Sequence, residues 1–432
     1  MDNKYRQIAP KVLSLGVGLI LATSFSSAQA SGFQLFEYSG AAIGNYNAGG
    51  AAEANDASVA AVNPAGLVRI TSPQLAASAT GIWTSADFNG SACGGLNCTP
   101  APVSDNGGGY ATVPAFQAAI PLTNNVVFGL SVTAPFGLAT NWSDNTSLAY
   151  SAVESEIEDI DFSPSLGVKV TDKFSVGAGL DAQRFNATLS SEVNLAPGTL
   201  NDTLIKNTAE DWAYGWNVGG LYQFTPQTRV GLSFHSQVVH HPDGTSSATN
   251  PSLTTAESSA STDLVIPPYT MLSGYHAFNN HWAVMGTIVY TDWQQIQQIT
   301  LKNAVIPDAT NAPFGTTTGN VVLPQGFDST WRISAGVDYR INSTWKLRVG
   351  GGYDETPTND TDRTIRLPDG NRYVAAVGAQ YAMNKAIVVD AGYEHIFQQD
   401  GDINQSGTIS KSIGSVESYA NLVGLQLTLT MV

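Results

Sequence analysis

Basic residues are scarce in this chain: 19 Lys and Arg stand against 35 Asp and Glu, a net charge of −16. That deficit excludes the positive footprint on which nucleic-acid binding depends. Cysteine is nearly absent, with only Cys93 and Cys98. Two thiols without a histidine partner make a poor zinc site, and no other metal site is expected. In an exported chain they are expected to close a disulfide across the Gly-rich SACGGLNC loop. Past the N-terminus, no stretch has the ~20 consecutive apolar residues a spanning helix requires. There is no GxSxG elbow, no HExxH pair and no P-loop, so neither a hydrolase nor a nucleotide-driven machine is indicated, and no cofactor is implied.

What is present begins with a targeting signal. Lys4, Arg6 and Lys11 form a basic stretch, Val12–Ala22 is apolar but too short to cross a bilayer, and Ala28-Gln29-Ala30 is a small-x-small cleavage site. Residues 1–30 therefore read as a secretory signal peptide, with the mature chain starting at Ser31.

From about residue 72 onward, segments of alternating hydrophobicity are joined by tight polar links at Pro121–Asn125, Thr171–Lys173, Thr225–Thr228, Phe278–His281, Ile341–Thr344 and Met383–Lys385. Interleaved with them are long polar segments at 86–109, 136–154, 190–210, 241–264, 293–329, 355–371 and 397–414. Strict interleaving of short and long connections predicts fourteen antiparallel strands. Open twisted sheets rarely grow past about 10 strands, and a backbone in lipid tolerates no unpaired edge. The fold class is therefore all-β, a 14-stranded antiparallel transmembrane β-barrel over residues 72–432, placed in the bacterial outer membrane with its short turns on the periplasmic side.

The later strands show the two-residue period most cleanly. Trp331, Ile333, Ala335, Val337 and Tyr339 alternate with Arg332, Ser334, Gly336, Asp338 and Arg340. One row is expected to meet lipid and the other the lumen. Trp216, Tyr222, Trp282, Tyr290, Trp345 and Tyr381 sit near strand ends, where interfacial girdles form. Many acids fall in the long segments. Solvated surface is the plain reading, and a cation-bridged contact with lipopolysaccharide the alternative. The final strand ends at Val432 rather than on an aromatic residue.

Between signal and barrel, residues 31–71 lack strand alternation yet carry Phe33, Leu35, Phe36, Ile43, Val59, Val62, Leu67, Val68 and Ile70. So many apolar side chains predict a compact hatch, or plug, inside the lumen, because a barrel this wide leaves a pore unless filled. Asn63-Pro64-Ala65 reads as a rigid turn. In the third strand, Ala134-Pro135-Phe136-Gly137 interrupts the alternation. Pro cannot donate to a ladder and Gly favours bulges, so the run either kinks the strand or ends it.

The order of these pieces resembles the FadL family of long-chain fatty-acid outer-membrane transporters. Gly32-Phe33-Gln34-Leu35, Asn55-Asp56-Ala57, Asn63-Pro64-Ala65, Phe136-Gly137-Leu138-Ala139-Thr140, Gly215-Trp216-Asn217, Tyr290-Thr291-Asp292-Trp293, Trp331-Arg332-Ile333 and Tyr353-Asp354-Glu355-Thr356-Pro357 carry the likeness. It implies passive uptake of a long-chain fatty acid or another hydrophobic molecule, a family that also includes carriers of aromatic hydrocarbons. Ligand would be captured among extracellular loops and held in an apolar pocket. It would leave sideways into the bilayer through a kink in strand three. Phe33, Leu35 and Phe36 are then the expected ligand contacts in the hatch, and Asn63, Pro64 and Ala65 its gate. Ala111, Ala134, Pro135, Phe136 and Gly137 would border the lateral opening. Val193, Leu195, Leu200, Leu204 and Ile205 are expected to form the capture groove. The expected partners are the hydrophobic ligand, the lipid bilayer and lipopolysaccharide, and a monomer is expected.

The basic residues that fatty-acid members place near the ligand carboxylate are missing: the corresponding places read Ser191 and Leu323. Arg184, Lys302 and Arg332 lie nearby without aligning. A neutral aromatic hydrocarbon is thus the alternative cargo, and a general porin the alternative class. His240-His241-Pro242-Asp243 reads as clustered loop polars rather than a metal or catalytic site.

Overall fold

The computed structural model describes residues 32–431 except 96, 195–201, 251–254, 309–314 and 408. The signal segment, 1–30, lies outside the described residues. Fourteen antiparallel strands form one closed wall. They are β1 Gln74–Gly94, β2 Tyr110–Pro121, β3 Val126–Asn141, β4 Glu154–Lys169, β5 Phe174–Val193, β6 Thr203–Thr225 and β7 Thr228–His235. The second half holds β8 Tyr269–Ala277, β9 Trp282–Thr291, β10 Thr330–Arg340, β11 Trp345–Asp354, β12 Arg372–Ala382, β13 Ile387–Gln398 and β14 Ser410–Thr430. Each pairs with its sequence neighbour, and β14 returns to β1 in register from Gln74↔Thr430 to Gly94↔Ser410, which removes both edges.

Side-chain period and wall geometry agree. Along β10, Trp331, Ile333 and Val337 face outward while Arg332, Ser334 and Asp338 are buried toward the lumen. Along β14, Val423, Leu425 and Leu427 face outward, and Leu422, Gln426 and Thr428 face inward. The outward rows end in aromatic pairs, such as Tyr290 with Trp331 and Trp345 with Tyr381.

The long polar segments are not the irregular loops that their composition suggests. β1 continues to Gly94, and Ala101–Asn106 pairs back onto it. Asp243–Thr249 pairs with Ala256–Ser261, Gln298–Asp308 with Gly315–Pro324, and Gly401–Ser406 with β14. Beyond the bilayer both faces of a strand are wetted, so the ladder persists without the apolar alternation that marks a strand in lipid. Among the described residues, 142–153, with a 3-10 turn at Ser147–Tyr150, and 355–371 are exceptions. The second is the one that reaches an apolar chamber, and it is fixed by side chains, with Arg363 on Asp360 at 2.6 Å and Arg372 on Asp369.

Residues 32–71 lie inside the wall. They form two single helical turns, Gly40–Ile43 and Gly50–Glu53, and two 3-10 turns, Ala57–Ala61 and Pro64–Arg69. Wall hydroxyls satisfy the backbone that these short turns leave unpaired. Gly49 N donates to Thr287 Oγ1 at 2.8 Å, Ala51 N to Ser273 Oγ at 3.0 Å, and Ser175 Oγ to the Ala65 carbonyl at 2.8 Å. The wall in turn makes room. A Cβ on Gly231 would collide with the Ala51 carbonyl, and one on Gly219 with Asn63 Oδ1.

Candidate ligand chamber and wall opening

Among the described residues, the wall is broken between β2 and β3. β2 pairs with β3 only from Pro121↔Val127 to Phe116↔Val132. Among the described residues, the outer half of β2 has no ladder with the outer half of β3. β3 itself does not stop at Pro135: it runs on to Asn141, with its register against β4 shifting between Thr133↔Asp161 and Phe136↔Asp159. Pro135 has no N–H to give, and the one extra residue of the bulge bends the strand there. Pro135 therefore interrupts the strand without terminating it. The far end of the gap is closed by Asn141 N donating to the Gly107 carbonyl at 3.1 Å.

The N-terminal segment occupies the inner side of this gap. Leu35 N donates to the Pro135 carbonyl at 2.7 Å, and Gly137 N donates to the Phe33 carbonyl at 2.7 Å. Gln34 and Phe136 thus face each other as a two-stranded bridge. The Leu35 side chain packs with Ile82, Ala111, Val113 and Ala134. Beside it a cavity of about 260 Å³ is bordered by Ile82, Tyr110, Ala111, Ala139, Thr140 and Glu156.

A second, apolar chamber of about 90 Å³ is bordered by Phe33, Leu138, Ile157, Phe185, Leu323 and Phe327. Its floor is aromatic: the Phe33 ring meets Trp293 edge-on at 4.8 Å and Phe136 at 5.9 Å. Such contacts hold large rings at fixed angles. One cation reaches the chamber, Arg366 from the 355–371 segment. Its Nη1 donates to Ser155 Oγ at 3.0 Å and to the Glu154 carbonyl at 3.3 Å. The desolvating surroundings push this guanidinium down to about 10, so it stays charged at neutral pH.

Of the three hatch aromatics and aliphatics named from the sequence, only Phe33 lines the chamber. Leu35 lies at the gap, and Phe36 stacks under the Arg332 guanidinium at 4.1 Å. Asn63 is wholly buried. Its Nδ2 donates to the Ala51 carbonyl at 2.7 Å and the Gly220 carbonyl at 3.2 Å, while Oδ1 accepts from Ala65 N. Pro64 starts the 3-10 turn that Asn63 caps.

The expected capture groove is not an open surface. Val193 and Ile205 are buried against Ala248 and Val305, and Leu204 faces outward. Leu195 and Leu200 lie outside the described residues. Asp243–Thr249 pairs edge to edge with Leu204–Glu210 of β6, which brings Ala248 against Ile205, and Val305 packs in the same cluster.

None of the three nearby cations serves the chamber. Arg184 pairs with Glu210 at 3.3 Å, Lys302 with Asp263, and Arg332 with the Phe36 and Tyr46 rings. Arg366 was hidden because 355–371 is polar on average. Ile365 and Leu367, flanking Arg366, are the local signal that this stretch turns inward. Cys93 and Cys98 form the expected disulfide, with Cα atoms 5.8 Å apart.

A closed, lipid-facing barrel with an occupied lumen and an apolar chamber beside a break in its wall defines an outer-membrane β-barrel protein. The chain belongs to the outer membrane protein transport protein family (OMPP1/FadL/TodX), whose model matches residues 20–431. Among its relatives, the long-chain fatty acid transport protein of Salmonella typhi is 27% identical over 92% of this chain and 95% of its own. The 47 kDa outer membrane protein of Pasteurella multocida is 28% identical over 94% and 96%. In fold, the chain resembles a Pseudomonas aeruginosa FadL homologue, with a TM-score of 0.82 at 24% identity over 92% of this chain and 99% of the other. It also resembles the Pseudomonas putida toluene transporter TodX, at 0.69 and 14% over 93% and 100%.

Proposed function

We propose that this protein carries a long-chain fatty acid, or a similar single-chain hydrophobe, passively across the outer membrane. The cargo enters from outside, rests in the apolar chamber, and exits sideways through the β2–β3 gap into the bilayer. Residues 32–71 act as the hatch, and Asn63-Pro64-Ala65 as its fixed hinge. The observation that carries this reading is the adjacency of an apolar chamber to a wall gap whose inner side is covered by residues 33–35. The axial route past the hatch is lined by buried polar groups, including the Lys346–Asp338 pair at 2.9 Å. A chain gaining ~0.8 kcal/mol per buried CH₂ is driven toward lipid rather than through such a lumen. The named cargo of the Salmonella typhi relative fits this reading.

Neutral aromatic hydrocarbons are the second reading. Leu323, where a cation was sought, lines the chamber. Mass spectrometry of ligands retained through purification tests the class. A bound acyl chain supports fatty-acid carriage, and steady open conductance in a planar bilayer, with no retained hydrophobe, overturns the reading in favour of a porin.

A further inference from the structure

We propose that Arg366 is the head-group site for a carboxylate amphiphile, standing at the partition between the chamber and the wall opening. The inference deepens the uptake reading and rests on it. Three observations place the site. Arg366 borders the apolar chamber together with Phe33, Leu138 and Leu367. Its two acceptors, Ser155 Oγ and the Glu154 carbonyl, belong to residues that border the cavity at the gap. The guanidinium thus borders the chamber and is bonded to two residues that line the cavity at the gap.

The third observation is an imbalance of charge. Three buried arginines have anions: Arg348 binds Asp390, Arg363 binds Asp360, and Arg372 binds Asp369; Arg229 has none but spends its Nε and Nη2 on the Ala52 and Glu53 carbonyls under the Tyr275 ring. Among the described residues no carboxylate lies within ion-pair distance of Arg366, and its Nε and Nη2 have no partner. The neighbouring carboxylates are committed elsewhere. Glu154 holds Lys206 at 3.0 Å, and Asp369 holds Arg372 and accepts from Gly32 N at 2.8 Å. An unneutralised guanidinium against apolar walls is costly unless an anion completes it. Its two free donors, Nε and Nη2, lie on one edge that matches the paired oxygens of a carboxylate, and the walls beside it match the chain attached to that group.

The segment that carries Arg366 is fixed rather than loose. The Arg366 carbonyl accepts from Thr140 Oγ1 at 3.0 Å, and the Ile365 carbonyl from Trp142 Nε1 at 3.0 Å. Both partners belong to or directly follow the outer half of β3, so a head group on Arg366 sits against the very strand that forms the gap. Position and charge together would hold the polar end at the partition while the chain lies toward lipid.

The test is equilibrium binding to the full-length protein in detergent, using hexadecanoate, hexadecanol, hexadecyl phosphate and toluene as probes. The wild type is expected to prefer hexadecanoate to hexadecanol by about tenfold, the size of one charge-assisted contact. R366Q should shrink that ratio toward one, and R366K should restore part of it. Ser155→Ala, which frees a guanidinium donor without removing the charge, should keep or raise the ratio. An unchanged ratio in R366Q overturns the assignment while leaving uptake standing. Tighter binding of the phosphate than of the carboxylate overturns it in favour of a phosphate amphiphile. A wild type that binds none of the four probes overturns the uptake reading itself.

Discussion

The amide of Gly137 donates to the carbonyl of Phe33 at 2.7 Å, so a strand of the wall is tied to the segment inside it. The reciprocal bond, Leu35 N to Pro135 O, makes the pair a short antiparallel ladder in which Gln34 opposes Phe136. Opposed residues in such a ladder have Cα atoms roughly 4.5–5.5 Å apart, within disulfide reach. The double variant Gln34→Cys, Phe136→Cys should therefore oxidise spontaneously on export. Uptake of a labelled hydrophobe should stop and return on adding reductant, with wild type in the same reductant as reference. Undiminished uptake by the oxidised form would show that residues 33–35 need not move.

Ala111 and Ala134 face the gap from its two sides and are packed with Leu35. Replacing both with Phe should block uptake. Overpacking at each costs about 1–3 kcal/mol, small beside the long β1–β14 ladder, so the barrel should still fold. Circular dichroism checks the fold, and normal uptake by a folded double variant would sink the lateral route.

The Asn63 side chain makes three polar contacts, with the Ala51 carbonyl, the Gly220 carbonyl of β6 and the Ala65 amide. Asn63→Ala leaves those buried groups without partners, at about 1–3 kcal/mol in total for a typical buried site. The hatch should loosen before the wall does. Planar-bilayer recording should show transient small-solute leaks in the variant and silence in the wild type. Silence in both would make the trio a turn with no gating part.

The Arg366 site has a distinct pH signature. Its charged form binds the anion, and burial pushes its ionisation down to about 10. A fatty carboxylate is ionised above about pH 5. Hexadecanoate affinity should stay flat from about pH 7 to about pH 9 and fall as pH passes about 10, while hexadecanol affinity stays level. The effect on folding runs the other way. A lowered base sheds its desolvation cost on losing its proton, so between about 10 and the ordinary arginine value stability rises with pH. A hexadecanoate curve that tracks hexadecanol across the alkaline range would remove Arg366 from the site.

The strand count and inward–outward rows were legible because lipid on one side forces a strict period of two. Trp331, Ile333 and Val337 advertise their face in a way no other environment would demand. The ribbons beyond the membrane were not legible, since water on both sides permits any polar residue at any position. The kink was half legible: Pro135 announced an interruption, but whether the strand resumed depended on its pairing with β4. The chamber was least legible. Its walls come from the N-terminal segment, from β3, β4 and β5, from the 298–327 region and from Leu367. No local pattern brings Phe33, Phe185 and Phe327 together. Arg366 went unseen because a lone cation in a polar stretch looks like surface until the flanking Ile365 and Leu367 are seen to point inward.

The pairing of Gln74 with Thr430 sets an order on biogenesis. The first and last strands meet, so the cylinder cannot seal until the final residues of the chain have arrived. Gly40 lies so close to Gln426 of that last strand that a Cβ there would strike its backbone. The part made first and the part made last thus end in direct contact within the finished cylinder.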